Sequence, residues 1–285
     1  MEVYLMKFIA PKENTLIPGF GITLGITLSM ISLLVLIPLS SIVWFATTIP
    51  IDEWWRLITA PSVLYAFATS IGTSCIAAII NVVFGVLIAW VLVRYEFPGK
   101  MIINGLIEIP FALPTAVAGI TLSKLYSSKG AVGSLLYQWG IHISYSHIGI
   151  IIALIFVGIP FIVRTVQPVL EQFDRTYEEA AHVLGASKWI LYRRIIFPEV
   201  KPAILTGFGL AFARGIGEYG SVIYISGNSV REHTQVVSYV IMQKLNYADY
   251  ASATVVAIVL LLISFLVMFT INSIHILKAR RVRGT

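Results

Sequence analysis

Leu64–Val93 reads LYAFATSIGTSCIAAIINVVFGVLIAWVLV, with no charged side chain. A bilayer core is crossed by a helix of about 20 mostly apolar residues, since a helix satisfies its own backbone N–H and C=O groups away from water. This stretch is long enough to span with tilt. Arg94 ends it abruptly.

Working outward, five more stretches pass or nearly pass the same test. Asn14–Ile51 is uncharged; it is long enough for two short helices and is read as one. Met101–Ser123 is interrupted by Glu108. His147–Gln167 is the shortest uninterrupted case. Ala203–Ser226 carries Arg214 and Glu218. Ala251–Leu277 is the last. The expected architecture is all-α, a polytopic membrane protein of six transmembrane helices. Its parts are an N-terminal segment with the first span (1–63), a transmembrane domain (64–276) and a basic tail (277–285).

Composition agrees. Of 285 residues, 58% are hydrophobic and 12% charged, where a soluble domain carries about 25% charged residues. The mean hydropathy of +0.87 excludes a soluble enzyme or a disordered chain. The net charge of +6 sits between apolar runs and does not point to nucleic acid. Cys75, the single cysteine, lies in an apolar run and reads as a packing residue. The N-terminus lacks the small-x-small pattern of a cleaved signal, so the first span is read as retained.

Lys and Arg counts set the expected orientation. The N-terminus, the 94–100 loop, the 164–201 segment and the C-terminus hold 14 basic residues; the three opposite loops hold 5, namely Arg56, Lys124, Lys129, Arg231 and Lys244. Both termini are therefore placed in the cytoplasm, or the stroma of a plastid. Ile outnumbers Ala, a weak hint of an AT-rich genome that leaves a bacterial inner membrane and a plastid membrane both open. Trp54 and Trp55 read as interface anchors, and membrane lipid is an expected partner.

Asp174–Pro198 is too polar to span and too apolar for a solvated linker. Tyr177, Ala180, Ala181 and Leu184 fall on one face of a short helix. Gly185 permits a sharp turn, Ser187 can cap a second helix over 188–196, and Pro198 is expected to stop it. By residue chemistry this hairpin is either an interfacial foot or a docking surface.

Glu179-Ala180-Ala181, Gly185 and Ile195-x-x-Pro198 together resemble the EAA loop of permease subunits of ABC importers, although Phe197 stands where Leu is usual. The resemblance implies a type I importer permease (MetI-like) fold. It also implies that Glu179, Ala180, Ala181, Gly185 and Pro198 belong to a coupling loop that docks on a separate ABC ATPase subunit. No G-x-x-x-x-G-K-[ST] run is present: Gly99-Lys100 is followed by Met101, and Arg94 occupies the first glycine position. The chain is thus read as a transport subunit, not an enzyme. It needs no cofactor of its own, ATP and Mg being held by the partner ATPase.

Further motifs resemble sulfate/thiosulfate permeases, nearest the T-type. They are Arg94-Tyr95-x-Phe97-Pro98-Gly99-Lys100, Pro110-Phe111-Ala112-Leu113-Pro114-Thr115, and Ala213-Arg214-x-x-Gly217-Glu218-Tyr219-Gly220. This implies a second permease subunit, either a W-type homologue or a second copy, and an extracytoplasmic sulfate-binding protein. Molybdate or tungstate permeases share the EAA loop and the Gly-Glu motif and are the nearest alternative. An ion-driven secondary transporter is the alternative of another class; it would be expected to show two related halves, and none is seen.

Path or gate candidates are Pro110, Pro114, Thr115, Arg214, Gly217 and Glu218. Pro110 and Pro114 should kink the third span and free carbonyls. Arg214 and Glu218 are four apart on one helix face and can form a structural ion pair, serve a gate, or sit at an interface. Glu108 reads as a snorkelling carboxylate. Two ladders, Gly207/Ala211/Gly215 and Gly209/Ala213/Gly217, allow close helix approach, within the subunit or along the pore. His142 and His147 are not spaced as a helical metal pair, and no metal site is expected.

Overall fold

The computed structural model describes residues 20–174 and 176–283. Lys7, Lys12 and the start of the first apolar stretch lie outside the described residues, as do the side chains of His182 and of most of the basic tail. Among the described residues there are helices and no strands.

Two compact units divide at Pro50. The first holds helix α1 (Phe20–Thr47), a single apolar helix with a π-helical turn at Ser32–Leu36. The long first stretch therefore forms one span. It exposes its side chains along nearly its whole length, as a helix facing lipid does.

The second unit runs from Ile51 onward. Helix α2 (Ile51–Ile58) has Asp52 and Glu53 in its first turn and Arg56 in its last, the charge order that complements a helix dipole. Then come α3 (Pro61–Arg94), α4 (Lys100–Ala112), α5 (Thr115–Tyr126), α6 (Gly133–Gln138) and α7 (His147–Gln172). They are followed by α8 (Thr176–Val183), α9 (Lys188–Ile216), α10 (Gly220–Ile225), α11 (Val237–Asn246) and α12 (Tyr250–Arg283).

Five helices are individually long and apolar enough to cross a membrane. The pair α4 and α5, bent by 110°, makes a sixth when counted as one broken span. The bend is sharper than the kink expected of two prolines, and they share the work unequally. Pro110 sits in the first turn of a short helical segment, where its missing N–H costs nothing. Leu113 and Pro114 are extended, and Pro114 starts α5. The break belongs to Leu113-Pro114, because a residue preceding proline is driven out of the helical region.

Three other boundaries differ from expectation. The fourth span continues past Gln167 to Gln172, taking Pro168 inside the helix. Pro198 does not stop the helix begun at Lys188. A π-helical turn over Tyr192–Ile196 leads directly into the α-helix Phe197–Ile216. The Phe197 N–H bonds to the Tyr192 carbonyl, and this wide turn places Pro198 in a first-turn position, where no donor is required. The fifth span breaks at Gly217, so residues 220–225 form the separate α10.

α3, α7 and α9 form the centre. The buried face of α3 is mostly small: Ala66, Ser70, Ser74, Ala77, Ala78, Gly85 and Ala89. Lipid tails offer helices no hydrophobic drive to associate, so backbone proximity and dispersion must hold them. A Cβ on Gly85 would stand 2.7 Å from the Ile162 side chain of α7. A Cβ on Gly207 of α9 would stand 2.4 Å from Thr165 Oγ1. The Gly207/Ala211/Gly215 ladder thus packs inside this chain, with Gly215 over Ser74. The other ladder ends on exposed Gly217. At one end of the bundle, the Val237 amide donates to Ser70 Oγ (2.8 Å) and Thr69 Oγ1 donates to the His233 carbonyl (2.7 Å), pinning the segment before α11 to α3.

Candidate coupling helix and broken-span junction

Two groups of the expected functional residues are each brought together. The first is the short helix α8. Asp174 Oδ1 accepts from the Thr176 amide (2.9 Å) and hydroxyl (2.6 Å), fastening the helix start. Those two donors hold the Asp174 carboxyl below its ordinary value. Gly185 ends the helix with φ +74°, a left-handed conformation that side chains resist. Ser187 Oγ then accepts from the Ile190 amide (3.4 Å), as expected of a cap.

The residues of α8 divide between two faces. Tyr177, Glu179, Ala180, Val183 and Leu184 are exposed, Leu184 at 85%. Ala181 is buried and joins the core cluster containing Leu170, Leu191 and Ile196. Its small size serves the fit of α8 onto its own chain, while Glu179, Ala180 and Gly185 stay open. Pro198 lines a cleft of about 640 Å³ behind the helix, with Phe173, Tyr177 and Arg194. An apolar tip flanked by a carboxylate suits a shallow groove on another protein.

The second group is the junction of the two broken spans. α5 begins at Thr115 and α10 at Gly220, and these two starts touch. A Cβ on Gly220 would stand 2.2 Å from Thr115 Oγ1, and one on Gly119 would stand 2.3 Å from the Ser221 carbonyl. Pro110 is buried, Pro114 and Gly217 are exposed, and Thr115 is half-buried. Thr115 brings a hydroxyl to this place, and the Arg214–Glu218 pair lies beside it.

Arg214 Nη1 pairs with Glu218 Oε2 at 2.5 Å across the break. The Glu218 side chain is 1% exposed and that of Arg214 38%. The other carboxylate oxygen of Glu218 accepts from the Ser221 amide (2.9 Å) and hydroxyl (3.1 Å). The Glu218 carbonyl accepts from Ser238 Oγ of α11 (2.6 Å). One buried carboxylate thus ties α9 to α10, and its backbone adds α11. Of the roles left open for Arg214 and Glu218, the geometry is that of an ion pair. An Arg already paired is a poor clamp for a dianion.

Residues outside the expected set complete the picture. Arg164, counted with the loop charges, lies within α7. It pairs with Glu108 at 2.5 Å and donates to Asn104 Oδ1 (3.0 Å) and Gln167 Oε1 (2.9 Å). The signal was available: a cation seventeen residues into an apolar run needs a partner, and Glu108 interrupts another run. Arg94 pairs with Glu178, a link that no spacing rule reveals. Among the described residues no group of three metal-ligating side chains gathers.

The family described as binding-protein-dependent transport system inner membrane component matches residues 81–284. A sulfate transport system permease protein, CysT, of Salmonella typhimurium is 42% identical over 276 residues, covering 97% of this chain and 99% of that protein. A probable sulfate transport system permease protein of Chlorokybus atmophyticus is 43% identical over 259 residues, covering 90% of each chain. Among solved structures, a chain of a bacterial ABC transporter involved in alginate import superposes with a TM-score of 0.75 at 17% identity, covering 90% of this chain and 94% of that one. A chain of the alginate transporter in complex with its pentasaccharide-bound periplasmic protein gives 0.75 at 18% identity, covering 93% and 95%. At such identities the likeness is one of fold.

Proposed function

This chain belongs to the binding-protein-dependent transport system inner membrane components, multi-pass permease subunits of ABC importers with the type I (MetI-like) fold, and on that premise we propose that it forms half of the membrane path for sulfate or thiosulfate. The observation that carries the substrate is the 42% identity to a sulfate permease over nearly the whole of both chains. The chain is a transport subunit; a separate ABC ATPase binds and hydrolyses ATP.

Sulfate is a strongly hydrated dianion, and placing it in hydrocarbon would be prohibitive. A transient water-filled path between this chain and a second permease subunit, a W-type homologue or another copy, avoids that cost. At the junction of Pro114, Thr115 and Gly217 the charge of Arg214 is already paired with Glu218, so a hydrated anion passes without being trapped. Recognition then falls to an extracytoplasmic binding protein, received by loops 48–63, 124–146 and 227–250. The exposed tip of α8 docks in the ATPase, which pulls it on closing around ATP. Both termini face the cytoplasm or stroma.

Competitive uptake into proteoliposomes tests this reading. The chain is assembled with its ATPase, partner permease and binding protein, and labelled sulfate is offered against thiosulfate or molybdate. Uptake is expected to require ATP and the binding protein, and to be displaced by thiosulfate rather than molybdate. Molybdate preference would reassign the substrate. Uptake by this chain alone on an ion gradient would overturn the importer.

A further inference from the structure

The docking tip of α8 is useful only if its motion reaches the spans. Among the described residues, the tip is attached to the bundle by the buried methyl of Ala181, the aromatic pair Phe173 and Tyr177 (centroids 5.9 Å apart), and a charged contact. That contact is Arg94 of α3 with Glu178 of α8. Arg94 is the last residue of α3, and its side chain is 11% exposed, against 24% for Glu178. Its guanidinium lies 5.5 Å from the Trp90 ring centroid and 6.0 Å from that of Phe173, within cation–π range. Trp90 in turn meets the Tyr192 ring edge-on at 6.1 Å, at the π-helical start of α9. The Arg94 side chain therefore gathers the end of α3, Phe173 just past α7 and the docking helix α8, and Trp90 beside it adds the wide turn of α9.

The two neighbouring carboxylates of α8 point to different tasks. Glu179 is exposed on the outer face, and Glu178 turns inward to Arg94. The packing core behind them is α3 against α7 and α9; Arg94 ends the first of these, and Trp90, one turn back, meets the last. A largely dry, charged and bidirectional link transmits displacement better than a lone methyl contact, since it resists pulling as well as pushing.

We propose that Arg94 and Glu178 form a latch that carries the movement of the docking helix into α3. Loss of the latch leaves the ATPase bound and uncouples its work from transport. Arg94 and Glu178 are positioning residues in this scheme, and the proposal rests on the importer reading above.

The test uses the full complex in proteoliposomes, with sulfate uptake, ATP hydrolysis and retained ATPase measured on the same preparation. Arg94→Gln and Glu178→Gln are expected to keep the ATPase subunits bound. Each should lower sulfate moved per ATP by at least about fivefold, the low end of coupling between distinct sites. The exchanged pair R94E/E178R should recover most of the ratio, which a residue needed only for its size or polarity would not do. An unchanged ratio in the single variants, failure of the exchanged pair, or loss of bound ATPase in step with uptake would each overturn the latch. Absence of ATP-dependent uptake in the unaltered complex would overturn the importer reading and the latch with it, whereas a working complex with indifferent variants overturns the latch alone.

Discussion

Arg214 and Glu218 are unequal partners. Glu218 is buried, and Arg214 keeps a route to solvent or to a neighbouring chain. Removing the cation strands a carboxylate in the interior, at a cost of about 3 kcal/mol. Glu218→Gln keeps an acceptor for Ser221 and leaves Arg214 half-exposed. Arg214→Ala is therefore expected to lower the melting temperature of the purified protein more than Glu218→Gln does; the reverse order would show that the carboxylate is not held as described. Asp174 gives a pH signature. The Thr176 amide and hydroxyl hold its carboxyl below the ordinary value. Its contribution is thus complete above the ordinary carboxylate range and is lost as pH falls through the lowered native value. The protection of the α8 amides from hydrogen exchange, taken relative to the intrinsic rate at each pH, should fall on acidification across that range, and Asp174→Ala should remove the dependence. Neither contact was visible at this scale in the sequence beyond its possibility: four-residue spacing allows an ion pair, but burial decides which partner is indispensable.

The short helices separate what spacing reveals from what packing decides. Gly185 and Ser187 were legible because turn and cap chemistry is local, and both occupy the expected conformations. Ala181 shares a helical stripe with Tyr177, Ala180 and Leu184, yet it alone turns into the core. An eight-residue helix has no period long enough to show which edge of its apolar stripe is covered. Pro198 misled for a related reason: proline marks a helix start as readily as an end, and the π-helical turn before it is not written in any residue type. Gly185→Val should cost about 1–2 kcal/mol at a left-handed position. It is expected to reduce the ATPase recovered with the purified chain while the spans still insert; full recovery would contradict the docking role. Where the broken spans cross, Gly119→Ala would bring a methyl into the Ser221 backbone. Overpacking of this kind costs about 1–3 kcal/mol, and the expected sign is a lower melting temperature and slower transport. An unaffected variant would mean that the two breaks do not bear on each other.

For the molecule as a whole, hydropathy made the helical membrane spans readable without any structure, five as single helices and a sixth if the bent pair is one span. The spans could be counted because lipid enforces length and composition, residue by residue. A kink at Pro110 and Pro114 was legible too, but neither its 110° size nor the break at Gly217 was, because no residue type records that the starts at Thr115 and Gly220 meet. On the proposed function, the Arg94–Glu178 contact and the two breaks lie between the docking helix and the path. The decisive measurement is site-specific crosslinking from Leu184→Cys in a Cys75→Ser background, in the assembled complex within intact membranes. A crosslink to the ATPase, together with protection of the thiol from a membrane-impermeant reagent applied outside, is the predicted result. A thiol that reacts from outside, or never meets the ATPase in any nucleotide state, would contradict the account.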